Sequence, residues 1–82
     1  MDKNYVASII VCNYNYVFDS MGLTFDEADN LAKEIANRFF KHMERIYYPK
    51  EYHYNSSHYN LVQHYCADIS FDKVWSEMKG EA

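Results

Sequence analysis

Near the C-terminal third, His64, Cys66 and Asp68 place a base, a nucleophile and a carboxylate at alternate positions, the residue types of a covalent-catalysis site. Alternate residues of a strand share a face but stand about 7 Å apart along the chain, beyond the roughly 3 Å hydrogen bonds that such a triad needs. The spacing therefore argues against catalysis, and Cys66 reads as a packed thiol. His53, His58, His64 and Cys66 offer the ligand types that zinc prefers, yet their separations fit none of the strong zinc patterns, so no metal is expected. Neither Gly22 nor Gly80 lies in a GxGxxG or GxxxxGK context, which removes the usual phosphate-binding loops. The expectation is a chain without cofactor that is not an enzyme.

Recognition chemistry is better represented. The twenty residues from Tyr47 to Cys66 hold six tyrosines and three histidines, with one proline and no glycine. Tyrosine offers a large contact area with few rotatable bonds and a hydroxyl for a partner, so such clustering points to a recognition surface. Arg38, Lys41, Arg45 and Lys50 outnumber Glu44 and Glu51 beside it, giving a local basic, aromatic patch. The candidate partner-binding residues are Tyr48, Tyr52, His53, Tyr54, His58 and Tyr59, with Arg38, Lys41 and Arg45. The competing structural role for the tyrosines is to cover a sheet edge with their rings.

The elements that must carry these residues are read from periodicity and punctuation. Tyr5 to Phe18 is rich in β-branched and aromatic residues and predicts a strand, with a break or hairpin near Asn13 and Asn15. Thr24 and Glu27 have capping-box spacing, and Ala28, Leu31, Ala32, Ile35, Phe39, Met43 and Ile46 follow at helical steps. A long helix is predicted from Thr24 until Pro49 stops it near Tyr47. Glu51–Asn55 and His58–Ala67 read as two strands of a hairpin across Ser56 and Ser57; a competing reading makes His58 to Cys66 helical, with Ser57 as cap. Ile69-Ser70-Phe71-Asp72-Lys73-Val74 repeats the grammar of Leu23-Thr24-Phe25-Asp26-Glu27-Ala28 and predicts a short amphipathic helix ending by Gly80. The expected fold is α+β: a small, mainly antiparallel sheet of three to four strands packed against one long and one short helix.

At 82 residues, residues 1–82 are expected to form a single domain with a modest core. The apolar run from Val6 to Cys12 is too short to span a membrane. With no address signal recognised, the expected compartment is the cytoplasm, where Cys12 and Cys66 would be buried free thiols. The formal charge of −4 disfavours indiscriminate nucleic-acid binding. The short, Asn- and Tyr-rich chain resembles in size and composition the accessory proteins of bacteriophages, among them inhibitors of bacterial defence systems. The function expected is a non-catalytic protein-binding module that blocks a host or defence factor through its Tyr/His-rich surface, with a homo-oligomer possible. The alternative is a nucleic-acid or nucleotide binder that stacks bases on tyrosines over the Arg/Lys patch.

Overall fold

The computed structural model describes residues 2–45 and 57–80, and these residues fold into helices α1 (Lys3–Ser20), α2 (Phe25–Arg45), α3 (Ser57–Ala67) and α4 (Phe71–Met78). No strand occurs among them, which overturns the expected α+β fold and its antiparallel sheet. The predicted strand Glu51–Asn55 lies outside the described residues.

Where a strand was expected over Tyr5–Phe18, α1 forms instead. Val6, Ala7, Ile9, Ile10 and Phe18 are buried, and Val11, Tyr14 and Val17 pack against the same core. Val6, Ala7, Ile10, Val11, Tyr14, Val17 and Phe18 recur at steps of one and three, the signature of a helical stripe. A strand would have put Ser8 and Cys12 on the face of Val6 and Ile10. Beta propensity measures fit to a pleated, half-buried surface, and here packing on α2 overrides it. Asp2 caps the helix by accepting from the Tyr5 N–H at 2.8 Å. The break expected near Asn13 is a kink in the helix. Tyr14 leaves helical geometry (φ −121°, ψ 19°), and the Asn13 side-chain amide donates to the Ile9 carbonyl at 2.8 Å just before it.

The turn from α1 to α2 is a Schellman motif. The Gly22 N–H reaches the Asp19 carbonyl at 3.0 Å and the Leu23 N–H reaches the Phe18 carbonyl at 3.2 Å, with Gly22 at φ 74°. Thr24 then opens α2 with the reciprocal bonds of a capping box: the Glu27 N–H donates to Thr24 Oγ1 at 3.2 Å, and the Thr24 N–H to Glu27 Oε1 at 2.8 Å. Ala28, Leu31, Ala32, Ile35, Ala36 and Phe39 form the buried stripe of α2, with Met43 beside it; Ile46 lies outside the described residues.

The competing helical reading of His58 to Cys66 is the one the structure shows. Leu61, Val62, Tyr65 and Cys66 are spaced as a helical stripe, and they bring α3 onto α1 and α2. Ser70 caps α4 through the Lys73 N–H at 3.2 Å. Phe71 docks its ring on Phe18 at 5.6 Å and on Tyr14 at 5.3 Å between centroids. One apolar cluster thus joins all four helices, and it contains no buried polar or charged residue among the described ones.

Candidate functional site

A core made only of apolar side chains and Cys66 leaves surface groups to do any recognition. His64, Cys66 and Asp68 do not assemble. On α3, His64 and Cys66 are separated by about 200° around the axis, so His64 is exposed while Cys66 is buried, and Asp68 lies past the helix end. Burial pushes the Cys66 thiol up to about 11, the opposite of an activated nucleophile. Cys12, expected to be buried, is exposed on α1, because the helical register turns it away from the Val6–Ile10 face. Among the described residues, no three His, Cys, Asp or Glu side chains converge in a way that could hold a metal ion.

Of the predicted partner-binding residues, Tyr48, Tyr52, His53 and Tyr54 lie outside the described residues, as does the side chain of His58. Tyr59 is exposed, but its hydroxyl is held 2.6 Å from Asn13 Oδ1, tying α3 to α1. A tyrosine hairpin made with residues 58–67 is excluded, since that segment is α3.

Arg38, Lys41 and Arg45 do come together. With His42 they occupy the outward face of α2's last three turns, where residues three and four apart are neighbours. They line an open cleft of about 380 Å³ with Glu34 and Tyr65. Tyr65 projects from α3 into the seam, with its ring edge-on to Phe39 at 5.7 Å and tilted against His42 at 5.3 Å. Desolvation raises its phenol above the ordinary value, so it stays a neutral hydrogen-bonding group. Beyond Arg38 and Tyr65 a second cleft of about 430 Å³ continues toward α4, between Asp68 and Glu77.

Arg38 is already engaged. Its Nε donates to Glu34 Oε2 at 2.9 Å and its Nη1 to Glu77 Oε1 at 2.7 Å, which links α2 to α4. The bond from Arg38 holds the Glu77 carboxyl below the usual carboxylate range, and both carboxylates reinforce the guanidinium charge. No carboxylate among the described residues pairs with Lys41 or Arg45. Among the described residues the cleft's unpaired positive charge therefore comes from those two, while Arg38 mainly fixes its floor.

His42, Tyr65 and Phe25 are absent from the candidate contact residues read from the sequence. His42 belongs to the cleft, and its signal is the four-residue step from Arg38. Phe25 is 79% exposed at the first position of α2, and no local signal separates it from the buried Phe71. The chain matches no family model, no curated protein and no solved structure, so its functional reading rests on its own residues.

Proposed function

We propose that this chain is a non-catalytic protein-binding module that receives an acidic segment of a partner protein in the cleft between the C-terminal half of α2 and α3. The observation that supports it is the presence of two cations, Lys41 and Arg45, that no carboxylate among the described residues engages, around the Tyr65 and His42 rings in an open cleft. Aromatic surface paired with positive charge suits an acidic, partly apolar partner. The tyrosines at 47–54 follow α2 in sequence and are proposed to contribute to partner binding. Blocking a partner requires only such docking, in keeping with the inhibitor role expected from size and composition. The cytoplasm is the compartment proposed, and its reducing conditions suit the exposed Cys12 thiol.

Nucleic acid is the weaker alternative, because Arg38 is committed to two carboxylates and the chain carries a formal charge of −4. Affinity capture from cell lysate at physiological ionic strength tests the proposal, comparing wild type with Lys41→Glu/Arg45→Glu of equal melting midpoint. A protein retained by wild type and lost by the variant is expected. Retention of nuclease-sensitive material that falls steeply with added salt, with no such protein, would replace protein docking by nucleic-acid binding.

A further inference from the structure

On the other side of α2, a groove runs along its junction with α1. This groove is made of two adjacent depressions of about 300 and about 140 Å³, which share Val11, Phe25 and Asp29 in their linings. It extends along α1 from Asn4 to Asp19, about 22 Å at the helical rise, or roughly four turns of a bound helix. Ala7, Val11, Leu23 and Ala28 give it an apolar lining. Phe25 stands over the groove 79% exposed, although Leu23 and Ala28 on either side of it join the core. An exposed aromatic ring above an apolar groove is the arrangement that anchors a partner.

The charge around this ring is mainly negative. Asp19 and Asp29 line the groove, and Asp26 follows Phe25 in the first turn of α2. Lys33 is the cation of the lining, and it is bonded to Asp29 at 2.9 Å. Asp26 has a local reason to be there, since a carboxylate near a helix N-terminus is favourable. Asp19 has none. It sits in the last turn of α1, at the negative end of the helix dipole, and that turn contains no basic residue. The groove thus ends in a negative potential that the chain's described residues leave unmatched.

We propose that this groove is a second docking surface, opposite in sign to the cleft at α2 and α3, and that it takes a lysine- or arginine-bearing amphipathic helix of a partner protein. The apolar face of that helix packs on Phe25 and Val11. Its cations meet Asp19 and the carboxylates of α2's first turns. Two surfaces of opposite charge on one small chain would let it join two partners, or one partner by two segments.

Fluorescence anisotropy with a labelled Leu/Lys amphipathic peptide tests the proposal against a Leu/Glu peptide of the same pattern. The Lys peptide should bind and the Glu peptide should not. Phe25→Ser, which leaves the net charge unchanged, and Asp19→Lys should each weaken binding at least tenfold, while Lys41→Glu/Arg45→Glu should not weaken it. Both groove positions are exposed, and urea melts confirm folding; if Phe25→Ser proves unstable, Asp19→Lys carries the test beside Glu44→Lys, which has the same net charge but lies outside the groove and should not weaken binding as much. Binding that tracks net charge alone, undiminished by Phe25→Ser, would overturn the proposal. So would a concentration-dependent dimer dissolved by Phe25→Ser in sedimentation, which would assign the groove to a second copy of the chain.

Discussion

Thr24 and Ser70 open α2 and α4 with the same chemistry, each hydroxyl accepting from the N–H three residues on at 3.2 Å, yet the phenylalanine after each goes a different way. Phe71 is 7% exposed, stacked on Phe18 with Tyr14 edge-on; Phe25 is 79% exposed and meets no ring among the described residues. The cap is a local device, satisfied by four or five residues of chain. What the next ring meets depends on a helix far away in sequence. Alike local grammar therefore buries the ring at one helix start and leaves it on the surface at the other.

Removing Phe71 should produce the largest effect. Truncating a buried phenylalanine typically costs about 3 to 5 kcal/mol, a large part of a small domain's stability. Phe71→Ala should lower the urea midpoint sharply and expose Trp75, read by its fluorescence. Phe39→Ala, in the middle of the α2 stripe, should be as severe, unfolding or aggregating the protein. A soluble Phe39→Ala protein of unchanged midpoint would mean that the core has been placed on the wrong side of α2.

The caps come next and should respond alike. Thr24→Ala and Ser70→Ala are each expected to cost about 0.5 to 2 kcal/mol in denaturant melts. A loss at one and none at the other would show that the two openings are not equivalent in solution.

Alkaline pH probes the buried side of the comparison. The Cys66 thiol is raised from its ordinary value of 9.0 to about 11 by burial. Its contribution is complete below pH 9, where both folded and unfolded thiols are protonated. Above that the unfolded thiol ionises first, so stability falls as pH rises toward 11. Tyr14 and Tyr65, raised by burial as well, add a loss of the same sign. Cys66→Ala should flatten the decline between pH 9 and 11 in melts at graded pH, whereas Cys12→Ala, at an exposed position, should leave its slope unaltered.

How much of this was legible in the sequence follows the same division between local and distant causes. The Thr24 and Glu27 box, the stripe from Ala28 to Met43 and the Ser70 start of α4 are readable because cap, period and stop lie within a few residues of one another. Tyr5 to Phe18 misleads because Val6, Ile9, Ile10, Val11 and Val17 carry strand propensity, while the one-and-three spacing of Val6, Ala7, Ile10, Val11, Tyr14, Val17 and Phe18, a weaker signal in so apolar a run, is the feature that packing on α2 selects. Residues 58–67 misled for a related reason: with Tyr65 and His64 beside Leu61 and Val62, neither period leaves a cleanly apolar face. The basic half of the candidate site is visible as Arg38, Lys41 and Arg45 at helical steps. That Arg38 is committed to Glu77 could not be read, since the partner lies 39 residues away on α4.

The smallest expected effect is also the most direct test. The central claim is that the chain's fold and its recognition surface rest on different residues, with Phe25 on the side of recognition. Equilibrium urea unfolding of Phe25→Ser beside wild type should give midpoints equivalent to within about 0.5 kcal/mol, as at an ordinary surface position. A loss approaching that of Phe71→Ala would contradict the account, since it would mean that Phe25 is held in a core and is not available to a partner.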